Sequence, residues 1–581
     1  MTFNAGIFGY GPNPSAALLE DGKIVAVAEE ERFNRIKTAS TSLPLQSFLY
    51  CLKEASIGVD DLAAIGFGWE CDRYLKDMPA FYEKSRREYP PKTDDGYNAL
   101  HEDYLMNLYH PKRIATDFRQ GLATSGIYLD PQKIEFLPHH LCHAANAYYC
   151  SGFPEASILT IDGSGEEFTT FHWYGKNSEI SELKHYCLPH SLGGYYATFT
   201  EFLGFRAYMD EGKLMGLSSY GRYSDEIQKK LDQVIPYDRD SGDFTINPYM
   251  RYIGNRTYGR RFTDEFVDLF GKPRLRHQPI EDYHRDLAYN VQWRLERIVE
   301  AMVRTLIQQT GCPYIAMSGG VVMNCCMNGK IALMPEAKGI YCQPASADNG
   351  IALGAAQIMA HRSGVREFEK MTHAYWGPSF TDDEILAAIK EAKLDYSRSE
   401  NTIEEAAHYI DEGKIIGWFQ GRMELGARAL GNRSILASPL FPDIKDKLNR
   451  EVKHREDWRP FCPSFCSDRY LSYFEDGAVD SDYMILAFDV KKEFHDKIPS
   501  VVHVDGTARP QTVRKETNPR FYALIEAFGR LSGHPVVVNT SFNVQGEPIV
   551  CTPRDAIRCF GGTGIDVLIM NDFILKKPGV S

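Results

Sequence analysis

The chain has 581 residues, 43% of them hydrophobic and 25% charged, with a formal net charge of −13. Such a length exceeds a single hydrophobic core and predicts two or three domains of an ordinary soluble globular protein. The acidic balance argues against a general nucleic-acid binder, whose surface must attract phosphates, but leaves room for a local basic pocket around a small phosphorylated ligand. Thirteen cysteines without a C-x-x-C pair do not read as a disulfide framework or a zinc ribbon. Cys325, Cys326, Cys462 and Cys466 are expected as buried thiols in a reducing compartment. The N-terminus lacks the basic flank and apolar core of a signal peptide, and no apolar run reaches membrane-spanning length. A cytoplasmic protein with no membrane partner is the expectation.

Residues 4–31 read as three strands, at 5–9, 15–19 and 24–28, separated by Gly-Pro-Asn-Pro and Glu-Asp-Gly-Lys turns. Residues 43–62 then carry helical spacing. At 138–147 the run Pro-His-His-Leu-Cys-His-Ala-Ala-Asn-Ala looks like a helix start. His139 and His143, four apart, would project from one face and could grip a single metal ion; a pair of capping or core histidines is the plainer alternative. What tips the balance is the apolar run 156–161 ending in Asp162-Gly163-Ser164-Gly165, a carboxylate at the end of a buried strand followed by a glycine-rich turn. Strands at 168–174 and 179–186 follow, repeating the three-strand plan of the N-terminus.

Two such units predict a duplicated α/β fold with a cleft between its halves, the layout of actin, the sugar kinases and the heat-shock ATPases. In that class glycine turns let backbone N–H groups approach nucleotide phosphates, which makes Gly163 and Ser164 candidates. Glu211-Gly212-Lys213 sets charge beside glycine, so Gly212 and Lys213 are candidates too, although an exposed loop accounts for them equally well. After a long amphipathic helix at 284–310, a strand at 313–317 leads into Ser318-Gly319-Gly320 and on to Asn324. Free N–H groups at a helix start there suit a nucleotide. A strand at 339–342 and a helix at 351–361 follow, and Asp348 before that helix is either a cap or a further metal carboxylate.

Residues 362–370 read as a linker, dividing a first domain (1–365) from a second (371–581). The second opens with helical segments at 381–393 and 402–412 and a strand at 414–419. Between Gly421 and Arg459 nine basic residues outnumber six acidic ones, among them Arg428, Arg433, Lys453 and Arg459, interleaved with Gly-Ala and Leu-Gly-Asn. That pattern fits a buried anion pocket better than a solvated helix face, because arginine offers a planar fork matched to phosphate oxygens. Arg509 and the strand 535–538 running into Asn539-Thr540-Ser541-Phe542-Asn543 are candidates to close it. Anion-suited sites on two domains suggest two half-reactions joined by a carried intermediate.

His139-His140-x-x-His143-Ala, Ile161-Asp162-Gly163, Glu211-Gly212-Lys213-x-Met215-Gly216-Leu217, Ser318-Gly319-Gly320-Val321, Gly421-Arg422-Met423-Glu424, Ala429-Leu430-Gly431-Asn432-Arg433-Ser434, Val452-Lys453-His454-Arg455 and Asn539-Thr540-Ser541-Phe542-Asn543 together resemble the O-carbamoyltransferases of antibiotic and nodulation-factor biosynthesis. The likeness runs from residue 5 to about 570. It implies an N-terminal domain similar to the tRNA threonylcarbamoyl-transfer protein and an α/β C-terminal domain with a YrdC-like site. The latter would condense carbamoyl phosphate with ATP into carbamoyl-adenylate, releasing pyrophosphate; the former would pass the carbamoyl group to a hydroxyl of a small-molecule acceptor, leaving AMP. By the family pattern His139, His143, Asp162 and Asp348 match the ligands of iron or another divalent metal, and Arg428, Lys453, Arg459 and Arg509 match phosphate-holding residues. Arg433 and Asn543 belong to the same second site, and magnesium is expected with the ATP. No nucleic-acid partner is implied, and a homo-oligomer is left open. The chain departs from the pattern at Pro12-Asn13, where the family usually carries a His-Asp pair, so the base that activates the acceptor is not assigned. It also departs at Ala427, where proline is usual, and at Gln545, where Lys or Arg is common. Residues 70–125 and 235–280 read as insertions able to shape the acceptor pocket.

Overall fold

A computed structural model describes residues 1–88, 97–247, 250 and 260–580, with the backbone alone for 97–102. The chain forms two units: Met1–Val25 with Ser40–Lys370, and Ala26–Ala39 with Met371–Ser581. The main division falls at the polar stretch expected as a linker. Residues 26–39, expected inside the first domain, belong instead with the second.

The strands β1 (Phe3–Phe8), β2 (Ser15–Glu20), β3 (Lys23–Glu29, of which residues 23–25 belong to the first unit), β4 (Leu62–Phe67) and β5 (Ile134–Phe136) form a sheet in the order β3-β2-β1-β4-β5. Asp21 and Gly22, both at positive φ (47° and 83°), make the two-residue turn whose twist suits the β2–β3 hairpin. A second sheet contains β6 (Glu155–Gly165), β7 (Phe168–Lys176), β8 (Glu179–Cys187), β9 (Tyr314–Ser318) and β10 (Gly339–Cys342), in the order β10-β9-β6-β7-β8. Counted within each half, the two orders are the same. In both, the first strand pairs antiparallel with the second and parallel with the fourth. The duplicated actin/sugar-kinase plan is therefore present strand for strand.

Each half ends in a helix that leaves its own fifth strand and packs on the sheet of the other half. The helix His139–Ser151 lies on β6, β7 and β9, and Ile351–Arg362 lies on β1, β2 and β4. Gly6 permits the second contact: a Cβ there would come within 2.5 Å of the Ala356 nitrogen. The two helices also pack on each other, and nearly every side chain of both is buried.

Some boundaries differ from expectation. The helical stretch expected over 43–62 is an α-helix at Leu45–Ala55, ended by Ser56 at φ 55°, followed by a short 3-10 turn at Val59–Asp61. Strand β6 runs through Gly163-Ser164-Gly165, with a register shift between Ile161 and Gly165, so the turn falls at Glu166-Glu167 rather than on the glycines. Residues 211–218 are a helix, not a loop. Of the insertions, 71–88, 97–108 and 111–123 are helices, while 89–96, 248–249 and 251–259 lie outside the described residues.

The second unit is built on an eight-stranded mixed sheet. Its strands are β11 (Ser397–Arg398), β12 (Ile416–Phe419), β13 (Arg433–Ala437), β14 (Cys462–Cys466), β17 (Gln511–Val513), β18 (Val536–Ser541), β19 (Val567–Met570) and β20 (Phe573–Lys576), while β15 (Phe488–Asp489) and β16 (Thr507–Ala508) form a separate hairpin. The sheet order is β11-β20-β19-β12-β13-β18-β14-β17. Helices Thr402–Asp411 and Pro519–Ser532 pack against one another, burying Ile410, Trp418, Phe521, Phe528 and Val537 in one core. Among the described residues no helix is long and apolar enough to cross a membrane.

Candidate metal centre and anion site

The chain turns from β5 through Pro138 into the helix His139–Ser151, which sets His139 and His143 one turn apart on a buried face. Their outer nitrogens are held from behind. His139 Nδ1 meets the Gly68 carbonyl at 3.2 Å and His143 Nδ1 meets Ser318 Oγ at 3.1 Å, which fixes both rings with Nε2 facing inward. Asp162 Oδ2, from β6, lies 3.0 Å from His143 Nε2 and 3.5 Å from His139 Nε2. Asp348 Oδ1, at the start of the turn before Ile351, lies 3.6 Å from His139 Nε2 and 4.0 Å from His143 Nε2. Asp348 does not cap that turn; the cap position is Ala347. One donor atom from each of the four residues falls within 4.8 Å of the others. His140, next in the doublet, bonds Thr160 Oγ1 at 3.0 Å and stays outside the group.

Glycines give this cluster its room. A Cβ on Gly165 would lie 2.6 Å from His139 Cγ, and one on Gly320 would lie 2.9 Å from Asp162 Oδ1. Gly163 donates its N–H to Asp162 Oδ1 at 2.6 Å. Gly163 and Gly320 thus meet at one carboxylate, while a Cβ on Gly319 would lie 2.2 Å from the Ile161 carbonyl oxygen and Ser164 is exposed.

The charges fit a cation. Two partly buried carboxylates facing two imidazoles repel each other unless positive charge sits among them. Burial alone would lower the His139 pKa, but its hydrogen bond to Asp162 and the charges of Asp348 and Asp162 raise it to about 9. Burial and the Asp162 charge push Asp348 up to about 7. Burial, with His139 beside it, lowers His143. Burial would raise Asp162, yet the hydrogen bonds and charges of both histidines hold it well below the carboxylate range. A proton on His139 is the stand-in, its buried Nε2 lying 3.5 Å from Asp162 Oδ2 and 3.6 Å from Asp348 Oδ1. Two nitrogens and two carboxylate oxygens, oriented and converging, suit a divalent transition ion.

The structure adds residues that the sequence did not single out. Glu166, at φ 52°, is buried and accepts N–H groups from Glu70 (2.8 Å) and His139 (3.2 Å) through Oε1; burial raises it to about 7. A glutamate after Gly-Ser-Gly was its only trace in the sequence. Trp69 stacks on Tyr109 at 4.2 Å and turns its edge to His139. Other candidates have structural partners. Lys213 is buried, 3.5 Å from Asp210, with its amine over the Phe205 ring. Gly212, beside it, is open to solvent, with no atom within 4 Å of where a Cβ would be. Asn324 caps the helix Cys325–Ala332 and exchanges two hydrogen bonds with Gln292.

In the second unit, the loop between β12 and β13 is organised by Glu424, whose Oε1 accepts the N–H groups of Leu430, Asn432 and Arg433 at 2.7, 2.8 and 3.1 Å. Arg433, expected at the anion pocket, is wholly buried. Its nitrogens donate to the carbonyls of Gln420, Gly421, Asn432, Pro378 and Cys551, and its plane covers Phe419 at 3.7 Å. It knots the loop to the sheet instead of facing a ligand.

The other cations come from segments tied edge to edge. Gln511 donates to the Leu430 carbonyl and Asn539 to that of Ala429, bringing half-buried Arg428 next to β17 and β18. Arg509 donates twice to Cys462 Sγ, at 3.1 and 2.9 Å. Lys453 is buried, and its amine donates to the Ser541 carbonyl, to Ser541 Oγ (3.2 Å), and to the carbonyl and Oδ1 of Asn543 (3.0 Å each). Asn543 therefore holds the lysine. Burial, then the charges of Arg455, Arg459 and Lys37, push Lys453 well below the ordinary lysine range. Burial, then Arg459, bring Arg455 down to about 9, with Arg509 contributing. Lys453, Arg455, Arg459 and Arg509 thus feel one another's charge, a crowd of cations suited to a polyanion. Arg455, stacked on Phe461 at 4.7 Å, was quoted in the sequence only within a motif.

Comparison with known proteins identifies the family. Residues 5–357 match the model of the carbamoyltransferase N-terminus, and residues 407–577 that of the carbamoyltransferase C-terminus. The chain is 37% identical to an uncharacterized protein of Synechocystis over 99% of its own length and 97% of the relative's. It is 35% identical to the nodulation protein NolNO of Sinorhizobium fredii, over 98% and 79% of the two chains. Among solved structures, component A of the (R)-2-hydroxyglutaryl-CoA dehydratase of Acidaminococcus fermentans aligns with 62% of this chain and 99% of its own, at 16% identity and a TM-score of 0.32. With both family models matched in order along its two units, the chain belongs to the carbamoyltransferases.

Proposed function

We propose that the protein is an ATP-dependent O-carbamoyltransferase working through carbamoyl-adenylate, with a small hydroxylated molecule as acceptor. In the second unit carbamoyl phosphate loses phosphate to water, and the resulting carbamate oxygen attacks the α-phosphorus of ATP, displacing pyrophosphate. In the first unit the acceptor oxygen attacks the carbamoyl carbon, the bond to AMP breaks, and the acceptor proton leaves to a base. The observation that carries this reading is the pairing of two unlike sites in a carbamoyltransferase: a cation-rich pocket and a four-residue metal cluster.

The residues divide the work. Lys453, Arg455, Arg459 and Arg509, with Arg428, would offset the mutual repulsion of two polyanionic substrates and hold them in line. An anion arriving beside Lys453 favours its protonated form, since charge of opposite sign offsets the burial and the neighbouring guanidinium groups. In the first unit, Gly320 keeps a side chain clear of the Asp162 carboxylate, Gly163 donates its N–H to it, and Gly212 presents an open backbone. His139, His143, Asp162 and Asp348 would hold a divalent ion, iron by the family pattern, which supplies Lewis acidity toward a carbonyl or phosphoryl oxygen. Carbamoyl-adenylate is a mixed anhydride, so shielding it from water between its formation and its use protects the carbamoyl group.

The test is the fate of ATP. Incubation with carbamoyl phosphate and a panel of hydroxylated small molecules should give AMP, pyrophosphate and a product heavier by one carbamoyl group, each requiring both co-substrates. ADP in place of AMP and pyrophosphate would refute the adenylate route.

A further inference from the structure

The second unit is not made from the C-terminal part of the chain alone. Residues 26–39 belong to it, and their side chains grip two of its loops. Arg32 and Glu29 are both only 3% exposed and paired at 2.9 Å, with Glu31 also 2.9 Å from Arg32. Together they hold Gly426 by both ends: Glu29 Oε1 accepts its N–H at 3.0 Å, and Arg32 donates to its carbonyl at 2.8 Å. Gly426 has φ 99°, a backbone state closed to L side chains, and it stands two residues before Arg428. Arg35 holds the other loop, donating to the carbonyls of Ile549 (2.7 Å) and Pro548 (2.9 Å) and lying 3.4 Å from Asp555. That loop begins at Asn543, the residue that fixes Lys453.

The segment stores strain as well. Arg35, Thr38 and Ala39 all have positive φ, at 61°, 64° and 44°. For a β-branched threonine this is costly, and such states persist where the surroundings over-determine them. Glu31 pins the bend by accepting the Thr38 N–H at 2.6 Å, which leaves Lys37 among the charges that bear on Lys453.

We propose that Glu29, Arg32 and Arg35 are positioning residues of the anion site, clamping the loops that carry Arg428 and Asn543 so that their phosphate-binding groups are set before substrate arrives. The proposal rests on the carbamoyl-adenylate reading above. The peptide units on either side of Gly426 are each anchored, one through its N–H and the next through its C=O, so the direction in which the chain leaves toward Arg428 is set by residues almost 400 positions upstream. Misplacement of a binding group by about 1 Å costs roughly 100-fold in rate.

The experiment is carbamoyl-phosphate-dependent exchange of pyrophosphate into ATP by the full chain, comparing wild type with Arg32→Met, Arg32→Lys, Glu29→Gln and Arg35→Met. Metal content and thermal midpoint are measured on the same samples. The expected result is a rise in KM for carbamoyl phosphate of about tenfold to 100-fold for Arg32→Met. Arg32→Lys should fall between, since it keeps the charge without the fork, and metal content should not change. Unchanged KM in the Arg32 and Arg35 variants overturns the proposal. So does loss of metal and of thermal stability in step with exchange, which would mean a purely structural role. A wild-type chain inert in exchange refutes the adenylate reading itself and takes this inference with it.

Discussion

Gly165→Ala is the sharpest probe of the metal cluster because it alters no ligand. The added Cβ would lie 2.6 Å from Cγ and 2.8 Å from Cβ of His139, whereas ordinary carbon contacts begin near 3.5 Å, so the ring or the strand must move by most of an ångström. His139 has little freedom to yield. Its backbone N–H is held by Glu166, its Nδ1 by Gly68, and its ring lies against Phe8 and Trp69. Overpacking of this kind costs about 1–3 kcal/mol of stability. Disturbing the orientation of a metal-binding histidine costs roughly 10- to 100-fold in affinity. Gly163→Ala and Gly212→Ala are internal controls. The nearest atom at the first is the Tyr208 ring at 3.3 Å, and the second meets nothing within 4 Å. The assay is metal titration of the stripped protein, followed by metal analysis after dialysis. Gly165→Ala should bind at least tenfold more weakly than either control, with Gly212→Ala equal to wild type. Equal affinity in all three would show that His139 is not a ligand.

Other consequences are as direct. In the metal-free chain the His139 pKa is raised to about 9, so its contribution to stability is full below about pH 6.5 and fades as pH rises toward 9. Asp348, raised to about 7, acts in the same direction at lower pH, because its folded form also prefers the proton. The thermal midpoint of stripped protein should therefore fall between pH 6.5 and 9, and a bound divalent ion should remove most of that slope. Carbamoyl phosphate binding should take up protons and weaken as pH rises, because burial and neighbouring cations depress Lys453; calorimetry in buffers of different ionisation heat reads this directly. Lys453→Met should abolish pyrophosphate exchange while leaving metal content unchanged. Glu424→Ala strips three backbone N–H groups of their acceptor and should cost about 3 kcal/mol or more, seen as a lower denaturant midpoint.

Much of this was legible in the residues. Alternating apolar runs closed by turn residues located β1 to β3 and β6 to β8, and their repetition pointed to the duplicated fold. The i, i+4 histidines were readable because their spacing is local, and Asp162 because it closes an apolar run, although β6 continues past it to Gly165. Asp348 was ambiguous, since a carboxylate before a helix suits a cap and a ligand alike, and only the tertiary fold tells them apart. Arg433 misled for a related reason. An arginine in a glycine-rich loop looks the same whether it faces a ligand or fills a core with its donors on carbonyls. The glycines of 163–165 looked like a turn, yet they are extended strand because close neighbours, not chain reversal, demand the missing side chains. The grip of Glu29 and Arg32 on Gly426 spans nearly the whole sequence, and no local pattern encodes it.

The crossed terminal helices give the metal cluster a further property. His139 and His143 stand after the fifth strand of one repeat, while Asp162 and Asp348 are supplied by the other repeat. Coordination is thereby a measure of registration: an ion can be chelated by all four donors only when the repeats are docked. Any ligand that wedges them apart must loosen the ion, and by thermodynamic reciprocity the ion must resist that ligand to the same degree. Metal affinity measured with and without nucleotide would then gauge how far the repeats swing during turnover.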